Sequence, residues 1–272
     1  MTTLKKEVKI VGNGLMKNKP CEVTIFPSST GQIRYFVKDK DSFIANTDNV
    51  LSTEHCVVLG SKKVKAMLTE HLTAAFAFCG IDSADICMTE EEVPILDGSS
   101  KLWVETFKSA GTDKPFFHKD KYYTVSEPVY YLNGKTSLVI LPSDKLFISY
   151  AVNYDHDGLK SRFVNFEGKN EKEIIEARTF GFYKDLKKFQ MLGFAQGANI
   201  DNTLGFMDDG TYSTDLRSEY EPIKHKILDL IGDLYLTGVN PLNMKCQILV
   251  KEAGHAVHIK TAKLLKEKLI EI

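Results

Sequence analysis

The 272-residue sequence has no run of apolar residues near the ~20 that a membrane-spanning helix needs. An integral membrane protein is therefore not expected. The opening stretch MTTLKKEVKIVGNG also has too short an apolar run for a secretory signal, so the cytoplasm is the expected compartment. A charge imbalance is missing as well: 35 Lys and Arg stand against 36 Asp and Glu, for a formal net charge of -1. With no block of like charge, a nucleic-acid surface is not indicated, and a polyanionic ligand would have to be held by a few well-placed Lys or Arg. Cysteine is sparse and scattered, at Cys21, Cys56, Cys79, Cys87 and Cys246. An odd number without knuckle spacing implies neither a disulfide framework nor a Cys-type zinc site, so buried reduced thiols are the expectation. What is present is ordinary globular composition, 43% hydrophobic and 26% charged, with room for one large domain or two of ~100–150 residues.

The chain reads as two halves with the same order of elements. In the first, EVKIVGNG, CEVTIFPS and QIRYFVKD are short alternating runs, hence strands. Apolar positions at Val64, Met67, Leu68, His71, Leu72 and Ala75 predict a helix from about Val64 to Gly80. ADICMTEEE reads as a strand. VPILDGSSKLWVETFKSAG reads as a turn at Asp97-Gly98, a serine cap and a short helix carrying Trp103 and Phe107. The polar segment from Gly111 to Lys121 reads as a linker. Beyond it, Asn133-Gly134 between two strand runs predicts a hairpin. Strands at KLFISYAVNY and SRFVNFEG follow, then a helix at KEIIEARTF and an amphipathic stretch with Phe182, Leu186 and Phe189 on one side. A helix ends at Gly238, a strand follows at KCQILVKE, and a helix is expected from Val257 to Ile272. Strands grouped before helices predict a layered α+β fold of two similar, mostly antiparallel units, at 1–115 and 122–272, the second with a helical insert near 178–204.

Three fragments suggest chemistry. His225 and Asp229 in HKILD are four apart, so a helix places imidazole and carboxylate on one face. That donor pair suits zinc or another first-row ion over calcium. Taken alone, such a pair is more often a solvated surface feature. His255 in GH sits where a strand gives way to the last helix, a place for a general acid or base, or for a capping or core histidine. The tripeptide Thr-Glu-His occurs twice, ending at His55 and His71. His71 lies on the apolar face of its helix and must find a partner: it is either a satisfied core histidine or a metal ligand with Glu70 beside it as base. Two His and one Asp supply three ligands and leave a fourth position for water, the pattern of a catalytic zinc site.

TEHLTAAFAFCGID (69–82), EVPILDGS (92–99), ARTFGF (177–182), LRSEYEPIKHKILDLIGDLYLTG (216–238) and GHAVHIK (254–260) occur in one order along the chain. In them, and in VGNGL near the start, the sequence resembles the UDP-3-O-acyl-N-acetylglucosamine deacetylases, zinc amidases of lipid A biosynthesis. The resemblance implies two α+β domains with the site between them. It also implies zinc ligands His71, His225 and Asp229, with Glu70 as general base. His255 would protonate the leaving amine, Asp233 would orient His255, and the Thr203 hydroxyl in DNTLGF would help hold the oxyanion. Lys226 would reach the substrate's polar head. The stretch holding Phe182, Leu186, Phe189 and Leu192 would line an acyl passage, and Tyr154 and His156 would flank the nucleotide. His55 is expected on the pocket wall or the surface.

Three positions depart from the pattern that the resemblance implies. Met16 stands where a histidine is frequent, Glu252 where a basic residue commonly meets the substrate (Lys251 is adjacent), and His258 where asparagine is usual. These bear on nucleotide binding more than on the reaction. The expected reaction is hydrolysis of the N-acetyl group of an acylated UDP-amino sugar, a small-molecule substrate, with Zn2+ as cofactor. The alternatives are a zinc amidase for another N-acylated sugar and a silent binding or scaffold protein. A structural zinc site closed by His258 would weaken the enzyme reading.

Overall fold

The computed structural model describes residues 1–114 and 121–272; residues 115–120 of the expected linker lie outside the described residues. Two five-stranded sheets carry the architecture. The first runs, edge to edge, Val8–Asn13, Pro20–Pro27, Ala84–Met88, Ile33–Val37 and Asp41–Ile44. The second runs Val129–Asn133, Thr136–Pro142, Cys246–Lys251, Phe147–Val152 and Arg162–Phe166. In both, the last strand in sequence enters the middle. It lies antiparallel to one neighbour and parallel to the other, while the outer pairs are antiparallel. The repeated order of elements in the sequence is thus a repeated topology. Alternation explains the strands: Cys21, Val23 and Ile25 point inward and are fully buried, while their neighbours face outward.

The helices are α1 (Glu70–Cys79), α2 (Lys101–Ala110), α3 (Glu171–Ile175), α4 (Tyr183–Met191), α5 (Glu221–Tyr235) and α6 (His255–Lys268). Helix α2 lies beside α1, α6 lies beside α5, and the two halves meet where α1 packs on α5. Both central helices are buried almost all round; α1 is apolar on most faces, whereas α5 carries a polar stripe that is buried too. One continuous apolar core joins the halves. Among the described residues no helix is long and apolar enough to cross a membrane.

Three elements differ from expectation. The helix expected from Val64 begins at Glu70, because Lys65–Met67 pairs with Val58–Gly60 in a small three-stranded sheet and Leu68 adopts a left-handed φ of 60°. The helix expected over KEIIEARTF stops at Ile175, beyond which the chain straightens into a short strand at Phe180–Phe182. The terminal helix ends at Lys268, and Leu269–Glu271 pairs with Tyr123–Val125. In the first case an adjacent hairpin strand, and in the other two a partner distant in sequence, overrides the helical period. The Asn133-Gly134 hairpin, the Asp97-Gly98 turn and the stops at Gly80 and Gly238 form as expected.

The α1–α5 crossing depends on Gly232. A Cβ there would lie 2.2 Å from the backbone oxygen of Glu70 and 3.0 Å from the Thr73 hydroxyl. Neither helix can yield without moving its own backbone. Gly232→Ala should therefore cost about 1–3 kcal/mol by overpacking, read as a lower denaturation midpoint with unchanged slope. An unchanged midpoint would mean that the crossing has slack.

Candidate metal centre and active site

Helix α1 starts where the left-handed turn at Leu68 ends the small sheet, so Glu70 and His71 occupy its first turn. Helix α5 places His225, Asp229 and Asp233 one turn apart on the face toward α1. The ligand atoms of His71, His225 and Asp229 all lie within 4.8 Å of one another, and all three side chains are buried. Asp229 Oδ1 is 3.3 Å from His225 Nε2 and 3.9 Å from His71 Nε2. The two imidazoles stand edge to face, with centroids 5.0 Å apart.

The protonation pattern suits a cation. His225 Nδ1 donates to the Ala177 carbonyl oxygen at 2.9 Å, so its Nε2 lone pair faces the cluster. Burial, aided by the neighbouring His225, pushes His71 down to about 3, and burial lowers His225 too, so both rings are neutral at pH 7. Burial alone would raise the Asp229 carboxyl, but His225, Lys226, His255 and His71 around it hold it well below the usual carboxylate range. Asp229 Oδ2 accepts from Lys226 Nζ at 2.8 Å, while Oδ1 is buried and has no hydrogen-bond partner among the described residues. Two neutral imidazole lone pairs and an orphaned carboxylate oxygen pointing at one spot fit a divalent first-row metal.

Beside this trio lie the Glu70 carboxyl and the His255 imidazole. Glu70 Oε2 accepts from the Val57 amide at 3.1 Å, and its Oε1 is 3.8 Å from His255 Nε2. Burial, opposed by His255, pushes Glu70 up to about 7. His255 Nδ1 donates to Asp233 Oδ2 at 2.8 Å. Burial would lower His255, but Asp233 and Asp229 outweigh it and raise it to about 9. At neutral pH the pair thus holds a carboxyl near its midpoint facing a protonated imidazole.

A cavity of about 240 Å³ opens over these residues, walled also by Leu15, His55, Tyr154, Thr179, Phe180 and Lys226. It adjoins a larger apolar cavity of about 610 Å³ lined by Phe182, Leu186, Phe189 and Ile200 among others. Leu15, His55, Tyr154, Thr179 and Phe180 border both. The wall of the larger cavity is tied across the chain, because the amides of Gln196 and Gly197 donate to the carbonyl oxygens of Met16 and Leu15.

The structure brings together Glu70, His71, His225, Asp229 and His255, with Asp233 behind His255 and Lys226 beside Asp229. Phe182 lines the apolar cavity, and Tyr154 stands at the junction, with ring contacts to Phe180, Phe182 and Phe206. Thr203 is not brought to the metal-binding trio: it borders only the apolar cavity, and its hydroxyl donates to Asn202 Oδ1 at 2.8 Å. Leu192 is 71% exposed and lines neither cavity. His156 is buried against Phe206 and Tyr212. His55 is on the wall of both cavities, half exposed. Glu252 pairs with Lys135, Met16 lines the apolar cavity, and His258 bonds to Asp233 and Tyr150 rather than joining the trio. Sequence reasoning missed Thr179, whose signal was its place in ARTFGF. It also missed the Ala177 carbonyl, which has no side-chain signal at all.

The purified protein should carry about one divalent metal ion per chain, and His225→Ala or Asp229→Ala should lose it. Elemental analysis of the folded variants, checked by circular dichroism, reads this. Metal retained by both variants would place the ion elsewhere.

A sequence model described as UDP-3-O-acyl N-acetylglycosamine deacetylase (LpxC) matches residues 1–267. Among curated proteins, the UDP-3-O-acyl-N-acetylglucosamine deacetylase of Leptospira biflexa is 32% identical over 275 residues, covering 98% of this chain and 90% of its own. The proteins of the same name from Geotalea uraniireducens and Campylobacter jejuni are 33% and 32% identical, covering 95% and 98% of this chain and 85% and 92% of theirs. Matches of this length and similarity span both sheets and every residue of the cluster. The chain belongs to the UDP-3-O-acyl N-acetylglycosamine deacetylase family.

Proposed function

We propose that the protein hydrolyses the N-acetyl amide of a UDP-3-O-acyl-N-acetylglucosamine, releasing acetate and the free sugar amine, the committed step of lipid A biosynthesis, with zinc as its metal. One observation carries the reading. A carboxyl near neutrality and a protonated imidazole face each other across a three-ligand cluster, at the mouth of an apolar cavity.

His71, His225 and Asp229 hold the zinc. When bound, zinc polarises the amide carbonyl and makes water a stronger nucleophile near neutral pH. Glu70 takes the proton of the attacking water; its Val57 bond fixes one carboxylate oxygen and leaves the other facing the cavity. His255 enters protonated, supports the charge that develops and delivers its Nε2 proton to the leaving amine. Asp233 keeps the His255 ring oriented from the Nδ1 side. For the hydroxyl that faces the carbonyl oxygen, Thr179 takes the role first given to Thr203, since Thr179 borders the metal-side cavity and Thr203 does not. Lys226 offers a cation to the polar part of the substrate, with Phe180 beneath it at 5.7 Å. The acyl chain occupies the apolar cavity past Phe182, and Tyr154 separates sugar from chain; Leu192 lies outside it. In this reading 1–115 and 122–272 are the two domains, the 178–204 insert supplies the acyl wall, and the protein works in the cytoplasm.

The test is acetate release from the 3-hydroxyacyl substrate by zinc-loaded protein. Glu70→Gln should lower kcat by about 10²–10⁴-fold with zinc retained. The plot of kcat/KM against pH should be bell-shaped. Activity rises as Glu70 loses its proton, at or below about 7 since a bound cation favours the carboxylate, and falls as His255 loses its own near 9. Zinc bound without acetate release would favour another N-acylated sugar or a silent scaffold.

A further inference from the structure

Asp233 is fully buried in α5, and its Oδ2 lies 2.8 Å from His255 Nδ1 and 2.8 Å from His258 Nδ1. A carboxylate only accepts, so both nitrogens carry protons and both rings point Nδ1–H at the same oxygen. His255 and His258 are three apart on α6, so one helix face delivers both imidazoles. His258 has a second anchor: its Nε2 is 2.9 Å from the Tyr150 hydroxyl, which lies 2.8 Å from the Ala253 carbonyl oxygen just before α6. The His258 ring is wholly buried and engaged at both nitrogens, so its rotation is fixed. The other Asp233 oxygen, Oδ1, has no partner among the described residues. The carboxylate's orientation therefore rests on the two imidazoles. Without His258, only the ring that Asp233 is meant to orient would remain to orient Asp233.

We infer that His258 is a positioning residue: braced by Tyr150, it holds the Asp233 carboxylate so that Asp233 in turn holds His255 with Nε2 toward Glu70 and Asp229. Those two carboxylates lie 3.8 and 3.9 Å from His255 Nε2. A small rotation of the ring would remove the proton donor from the cavity while leaving the metal ligands in place. The donor needed at position 258 is the one at Nδ1. An asparagine side chain carries its NH₂ at the same distance from the backbone, so it can make the Asp233 bond without reaching Tyr150. A glutamine places its NH₂ one atom further out and misses Asp233.

The inference rests on the hydrolase reading for its kinetic arm only. In the zinc-loaded protein, His258→Leu should lower kcat by about 10–100-fold, with KM and zinc content unchanged. His258→Asn should return kcat to within about threefold of wild type, and His258→Gln should not. In nitrogen-15 spectra the His255 Nδ1–H should give a sharp low-field signal in wild type and His258→Asn, and lose it to solvent exchange in His258→Leu and His258→Gln. Full kcat in His258→Leu, equal kcat in the Asn and Gln variants, or a His255 signal indifferent to position 258 would overturn the inference. Should the leucine variant not fold, the Asn–Gln comparison decides. If wild type releases no acetate, the activity reading fails, and the spectra still test the His258–Asp233–His255 link.

Discussion

Where Gly232 meets the backbone of Glu70, the two central helices touch with no room for a side chain. Helix α1 brings Glu70 and His71 to the cluster; helix α5 brings His225, Asp229 and Asp233. Neither half contains a site by itself. The crossing sets the distance between His71 and the His225–Asp229 pair, so packing in the core and geometry at the metal are one constraint. A glycine here is required by approach rather than by a turn, since Gly232 is in the interior of α5 and has an ordinary helical backbone.

Burying so many ionisable groups in one place is costly unless each has a partner. The structure meets that cost by linkage. Asp229 is held by Lys226, Asp233 by two imidazoles, and Glu70 by a backbone amide. Further out, Arg178 and Glu221 form a buried ion pair at 2.8 Å, with Arg178 also donating to Thr214 and to the Asp215 carbonyl oxygen. That pair fixes the segment between Ala177, whose carbonyl sets the His225 tautomer, and Thr179, which faces the cavity. Removing one member of such a pair leaves a buried charge and typically costs about 3–5 kcal/mol. The orientation of the His225 ring thus depends on an ion pair next to the carbonyl that holds it.

What could be read from the sequence was what is local. The four-residue spacing of His225 and Asp229 gave their common face, and the apolar surroundings of His71 marked it as a histidine in need of a partner. Strand alternation, the Asn133-Gly134 hairpin and the glycine stops were equally visible; Glu70 and His255 stood out as candidates, and the resemblance added Asp233. The rest depends on which segments pair, near or far. That Lys65–Met67 is a strand follows only from its pairing with Val58–Gly60. The same holds for Leu269–Glu271 and its pairing with Tyr123–Val125. That Thr179 rather than Thr203 faces the metal side follows from the bend after Ile175. His258, read as a departure near the substrate, lies instead behind Asp233, because α6 turns that face inward.

In the second sheet the central strand is Cys246–Lys251, the last in sequence, flanked by strands made more than ninety residues earlier. Thr136–Pro142 and Phe147–Val152 are therefore joined through this later strand rather than to each other. Such long-range pairing is slow to form and leaves strand edges open meanwhile. The same strand leads directly into His255. Closing the sheet and placing His255 are therefore linked. In the proposed mechanism, the group that protonates the leaving amine takes its place only when that sheet is closed.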